Sequence, residues 1–233
     1  MKNPLVAGLA AFRPVSREAA REYEIRAKDI VDGVNRFMQE RDDFFDLIGE
    51  SPVEAVLQNH ENHVGTIAQV LLSGRYDLLA ATVPWVYRSY IAHGVTPEYF
   101  PVLFEVFQGV LKETLSGEAA REILPLYESL LESHEAMVSY SAQEMKDAGF
   151  VDGLSGLTET ARLFRDALLS GDHRTCLDLA SRKVTSGKDL EAFYLEIIQP
   201  AMYSIGNLWE RGEISVAEEH LASAIVARVM ASL

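Results

Sequence analysis

Three residues near the C-terminus combine side chains that hold ligands: Trp209, Glu219 and His220. An indole offers a broad apolar face, a carboxylate accepts hydrogen bonds, and an imidazole can donate or accept. They sit in Ile205-Gly206-Asn207-Leu208-Trp209-Glu210-Arg211-Gly212-Glu213-Ile214-Ser215-Val216-Ala217-Glu218-Glu219-His220. Gly212 stands where the residue just past a helix belongs. Ser215 followed by Glu218 forms a capping box that starts the next helix. Those three have structural roles, whereas Trp209, Glu219 and His220 are left over. Trp209 ends one helix, and Glu219 and His220 lie one turn into the next, so all three face one end of a bundle. A flat ligand with a polar substituent suits that set. The plainer alternative packs Trp209 in a core and leaves Glu219 and His220 in solvent.

A second cluster lies in Trp85-Val86-Tyr87-Arg88-Ser89-Tyr90-Ile91-Ala92-His93-Gly94, followed by Pro97-Glu98-Tyr99-Phe100. Tyr87, Tyr90 and His93 recur every three residues along one helical side. Arg88 is suited to a propionate, and the rings are suited to sandwiching a flat chromophore. The alternative is a tyrosine-rich core. His60-Glu61-Asn62-His63 sets two histidines one turn apart, near enough to share a metal. Further ligands are not identified, and an exposed polar face is the expectation there. No nucleophile, base and orienting group stand at a readable spacing, so no catalytic residues are assigned and the chain is not expected to be an enzyme.

These residues need elements to position them. The chain has 233 residues, 48% hydrophobic and 24% charged, as in a globular protein. Nearly every segment carries helical periodicity broken by Gly, Pro or Ser, which predicts an all-α fold. Helices are expected over about Ser16–Ile48, Pro52–Leu72 and Tyr76–Ala92, from Pro97 behind Thr96 as cap, and over Gly117–Asp147. In the C-terminal part they are expected at about 156–169, 172–185, 188–211 and 216–233, an antiparallel four-helix bundle. The stretch from Ala148 to Gly156 holds three glycines in nine residues and is the linker candidate. Two domains are therefore expected, 1–150 and 151–233.

Thirty-five acidic residues against 21 basic ones give a net charge of −14, with no basic cluster for a nucleic-acid backbone. The lone Cys176 excludes an internal disulfide and any multi-cysteine metal site. No apolar run is long enough to span a membrane. The first apolar stretch has only Lys2 before it and Arg13 soon after, a weak match to a secretory signal. A cytoplasmic location is expected.

The Trp, nine residues, then Glu-His pattern resembles the helical cap of cobalamin-binding proteins, in particular the adenosylcobalamin-dependent photoreceptors. The likeness extends over the C-terminal part, including Leu168-Leu169-Ser170-Gly171-Asp172 and Gln199-Pro200-Ala201-Met202-Tyr203. It implies that Trp209 covers the upper face of the corrin against the adenosyl group. Glu219 would hydrogen-bond the adenosyl ribose or base, Val216 would line the same pocket, and His220 would stand close by. Light would break the cobalt–carbon bond, and the cap would shift an oligomer or a neighbouring domain. Family photoreceptors can carry a His directly after the Trp, whereas this chain has Glu210.

The family also binds the lower face with a Rossmann-like domain bearing an Asp-x-His-x-x-Gly motif, and none of the six histidines here sits in one. A fragment of a longer protein is expected, with that domain as partner and a homo-oligomer as its state. The helix order and Tyr/His cluster of the N-terminal part resemble the globin-related sensor domains, and the pairing resembles the photocobilins, which join cobalamin to biliverdin. No cysteine precedes residue 150, so biliverdin or another tetrapyrrole would be held non-covalently, by Tyr87, Arg88, Tyr90 and His93. Haem on His93 or His134 is the other option. Two alternatives stay open: a corrinoid carrier for methyl transfer, and a helical interaction module without cofactor.

Overall fold

The computed structural model describes residues 3–10, 12–148 and 157–233. Helices carry the described chain throughout, and the chain forms two compact units, Met1–Glu144 and Met145–Leu233. The expected glycine linker, at 149–156, lies outside the described residues.

The first unit contains α1 (Pro4–Ala10), α2 (Arg17–Ile25), α3 (Ala27–Gln39), α4 (Phe44–Ile48), α5 (Val53–Ser73), α6 (Tyr76–Ala92), α7 (Tyr99–Thr114) and α8 (Gly117–Glu132), and α9 (His134–Ala148) follows. The helix expected over Ser16–Ile48 is thus three helices, with breaks at Arg26 and at 40–43. No glycine or proline marks the first break. Arg26 is instead drawn sideways, its Nη1 donating to Asp29 at 2.8 Å and its Nε to the Thr114 carbonyl at 3.4 Å. The helix expected over Gly117–Asp147 ends at Ser133, and α9 restarts it. Thr96 does not cap α7: its amide and hydroxyl both donate to the Leu47 carbonyl, at 2.9 and 3.2 Å, tying the turn before α7 to the end of α4. Nearby, a Cβ on Gly49 would stand 2.2 Å from the Gly94 carbonyl oxygen, and Gly49 has φ of 57°, so only glycine lets these two turns meet.

Helices α2 and α8 cap each other. Ser16 Oγ accepts from the Ala19 amide, and Ser116 Oγ from the Ala119 amide. Ser16 then donates from N and Oγ to Glu122, at 2.5 and 2.9 Å. Ser116 donates in the same way to Glu22, at 2.5 and 2.8 Å. The capping box is normally closed within one helix; here each carboxylate closes its partner's. The pairing places α2 and α8 side by side, over a core of Tyr23, Ile30, Phe107, Ile123 and Tyr127. The Tyr23 and Tyr127 hydroxyls meet at 2.9 Å inside it, which satisfies both buried groups.

The second unit contains α10 (Glu159–Leu169), α11 (His173–Lys183), α12 (Gly187–Phe193), a π-helical segment (Tyr194–Ile198), α13 (Gln199–Glu210) and α14 (Val216–Ser232). Side chains of Thr158, Asp172, Ser186 and Ser215 cap α10, α11, α12 and α14. Each supplies an acceptor for a backbone N–H that the helix leaves unpaired. The core is one stripe per helix: Ala161, Phe164 and Leu168; Cys176 and Ala180; Phe193 and Ile197; Ala201 and Ile205; Ala222, Ile225, Val226 and Val229. Phe164 and Phe193 meet edge to face at 5.6 Å. The helix expected at 188–211 is continuous but widened at Tyr194–Ile198. Pro200 has no N–H for the ordinary ladder and its ring crowds the carbonyl four residues back, so the widened turn precedes it. One residue is thereby inserted, and the neighbours Ile197 and Ile198 both reach the core.

Candidate functional site

The end of α13 and the start of α14 are fixed by two interlocking turns. Gly212, at φ of 70°, lets its amide reach the Trp209 carbonyl while the Glu213 amide reaches that of Leu208, both at 2.9 Å. This is the paired hydrogen bonding of a glycine-terminated helix, and it places Trp209 in the last turn. Ser215 then opens α14: its Oγ accepts from the Glu218 amide at 3.3 Å, and its own amide donates to Glu218 Oε2 at 2.7 Å. The expected roles of Gly212, Ser215 and Glu218 are therefore met. Arg211 Nε lies 2.6 Å from Glu213 Oε1 across the turn, an ion pair without hydrogen-bond alignment.

On α14, Val216, Glu219, His220 and Ser223 fall at spacings of three, four and seven, so they form one stripe. The core stripe that begins at Ala222 lies beside it. Val216 is 39% exposed. Glu219 is a quarter exposed at its side chain, and His220 is three-quarters exposed. Both carboxylate oxygens of Glu219 are engaged: Oε2 lies 2.6 Å from His220 Nδ1, and Oε1 accepts from Ser223 Oγ at 2.8 Å. Trp209 is half-buried. The turn after α10 belongs to the same end, since a Cβ on Gly171 would touch Leu221 Cδ2 at 3.4 Å. An indole thus stands in the last turn of α13, and an exposed valine and an oriented carboxylate stand in the first turns of α14 that follow it. That set fits an apolar group bearing hydroxyl or amino donors. Ser223 was not singled out in the sequence. Its signal was its place four residues after Glu219, where helical side chains meet.

The cluster on α6 is packed differently from a chromophore cleft. Tyr87 is buried and stacks on Phe100 with centroids 3.7 Å apart, and its hydroxyl meets His134 Nδ1 at 3.0 Å. Tyr90 is half-buried between Tyr99 and Phe100. His93 closes the helix, with Nδ1 donating to the Ser89 carbonyl at 2.7 Å. Arg88 is half-buried and engaged. Burial raises the Tyr87 and Tyr90 hydroxyl pKa values and lowers that of His134. Phe100 thus already covers one face of Tyr87, and the Tyr90 ring lies tilted against Tyr99 and Phe100.

His60 and His63 correct a different expectation, because they are not on an exposed face. His60 is 1% exposed, with Nδ1 at 2.6 Å from Asn35 Oδ1 and Nε2 at 2.7 Å from the Tyr99 hydroxyl. His63 packs on Phe104, Phe107 and Tyr127, its Nε2 inaccessible. Burial lowers the His60 pKa to about 4. Burial and the neighbouring His60 lower that of His63 to about 3. Both are therefore neutral near pH 7, and both nitrogens of His60 have side-chain partners. Among the described residues no group of three or more His, Cys, Asp or Glu is arranged to hold a metal ion. No described helix is long and apolar enough to cross a membrane.

Comparison with curated proteins and with solved structures returns no match. Comparison with family models returns one that takes in Trp209, Val216, Glu219, His220 and Ser223: residues 160–233 match the B12 binding domain, in its cobalamin-binding helical-cap form.

Proposed function

We propose that the C-terminal unit caps the upper face of adenosylcobalamin in a light-responsive sensory protein that is not itself an enzyme. The observation that carries the reading is the shared placement of Trp209, Val216 and Glu219 at one end of a bundle that matches a B12 binding domain. Adenosylcobalamin supplies, when bound, a cobalt–carbon bond that visible light cleaves. Trp209 and Val216 cover its apolar upper side and exclude water. Glu219 accepts hydrogen bonds from the sugar hydroxyls or the base, and His220 steadies that carboxylate from the solvent side. A Rossmann-like domain, in the same polypeptide or on a partner, supplies the lower face. Trp209 and Glu219 would respond to whether the upper axial group is present, and the cap would relay that difference to a homo-oligomer contact or a neighbouring domain. The net charge of −14 supports a protein partner over direct contact with nucleic acid.

A non-covalent bilin such as biliverdin at Tyr87, Arg88, Tyr90 and His93 belongs to the same reading as a second pigment. It requires Phe100 to leave the face of Tyr87, so the reading rests on the C-terminal unit. The test is retention of adenosylcobalamin by the purified chain in the dark, before and after illumination with green light. Retention that falls on illumination supports the proposal. Equal retention of adenosylcobalamin in the dark and of the cobalamin left after its full photolysis refutes the light-dependent part, and no retention of any cobalamin at millimolar ligand refutes the cap.

A further inference from the structure

Glu219 is held from two sides, and the two holders are unequal. His220 is three-quarters exposed, so its bond to Oε2 competes with water. Ser223 is half-buried, one turn deeper on the same stripe, and its hydroxyl donates to Oε1 at 2.8 Å. It sits between Ala222 and the buried pair Ile225 and Val226, so the core stripe fixes its backbone within reach of Glu219. A free glutamate loses three side-chain rotations on binding, and a second anchor removes part of that loss in advance. A carboxylate also keeps acceptor capacity beyond one bond on each oxygen. Glu219 pinned by Ser223 therefore still accepts two more hydrogen bonds, side by side, from a group that carries neighbouring hydroxyls.

We infer that Ser223 is a positioning residue that aims the Glu219 carboxylate at a vicinal diol on the upper axial group of the bound cobalamin, and so sets preference for a ribosyl-bearing form over one with a small axial group. This rests on the cap reading above and deepens it. Ser223 does not itself touch the ligand; it acts through Glu219.

The experiment compares the affinity of the full 233-residue chain for adenosylcobalamin and for cyanocobalamin, which lacks the diol, by NMR titration in the dark. Four chains are used: the native chain and Ser223→Ala, Ser223→Thr and Glu219→Gln. Taking the ratio of the two affinities cancels any general loss of folded protein. The native chain should prefer adenosylcobalamin. Ser223→Ala should cut that preference about fivefold, the worth of one ordinary hydrogen bond, and leave cyanocobalamin binding unchanged. Ser223→Thr, which keeps the hydroxyl, should restore it, and Glu219→Gln should cut it at least as far as Ser223→Ala. A native preference that Ser223→Ala leaves intact overturns the positioning role while the cap reading stands. A native chain that shows no preference overturns the diol and the assigned role of Glu219 together.

Discussion

Replacing Ser215 with alanine asks whether the α14 cap keeps the candidate site in shape. The hydroxyl makes two bonds, accepting from the Glu218 amide and donating to Glu218 Oε2, and alanine removes both while leaving the backbone contact to that carboxylate. Loss of a serine N-cap costs about 1 kcal/mol. The buried anchors of α14 begin only at Ala222, so besides the cap only the partly buried Ile214 ties the turn that carries Val216 and Glu219 to the core. The loss should therefore concentrate there. Hydrogen exchange at the Glu218 and Glu219 amides should accelerate by roughly fivefold, the equivalent of about 1 kcal/mol. The amide of Val229 should follow only the global change, a fall of roughly 4–8 °C in the unfolding midpoint for a unit of this size. Ser215→Asp should keep most of the protection, and Ser215→Gly should lose only a few tenths of a kcal/mol. If exchange at Glu218 and Glu219 is the same in Ser215→Ala as in the native chain, the cap is not what orders this turn, and the argument fails.

Acid should act on the first unit through its buried histidines. The folded state holds His60 at a pKa of about 4, below the ordinary 6.5, so its stabilising share is whole above pH 6.5 and is lost as pH falls towards 4. That share is on the order of 3 kcal/mol, and His60→Gln, which keeps polar partners without titrating, should lessen the fall of the urea midpoint between pH 6.5 and 4.5 to the part that His63 contributes; an unchanged slope would count against it. The Ser116 amide and hydroxyl hold the Glu22 carboxyl below its usual range, so that bond stabilises above the ordinary glutamate pKa and is lost as pH drops through the lowered one. Ser116→Ala should accordingly lose about 1 kcal/mol at pH 7 and visibly less at pH 3, measured by chemical denaturation. Cys176 is inaccessible, and burial first, then Asp172, raises its thiol to about 11; alkylation at pH 8 should be slow in native protein and complete in urea, and rapid native labelling would contradict the packing.

Local signals read best. Gly212, Ser215 and Glu218 announce a turn and a cap because a left-handed residue and a capping box have narrow chemical requirements, and the structure places them so. The residues at 160–233 show their bundle through apolar spacing alone. What escaped the sequence was the effect of partners distant in the chain. Glu22 and Glu122 look like ordinary surface acids until α2 and α8 lie together. His60 and His63 look polar and exposed, yet Asn35 and Tyr99 satisfy the first and three aromatic rings enclose the second. Tyr87, Tyr90 and His93 fall on one helical side as read, but Phe100, from the next helix, stacks on Tyr87 and lies against Tyr90. Pro200 is a local sign of the widened turn before it, because it lacks the N–H of the ordinary helical ladder.

The most direct test of the cap is an NMR titration of the full chain with adenosylcobalamin in the dark, with the Trp209 indole resonance assigned by Trp209→Phe. The account predicts progressive shifts of that indole and of the amides from Val216 to Ser223. Addition of the ligand with Trp209 and those amides unmoved would contradict it.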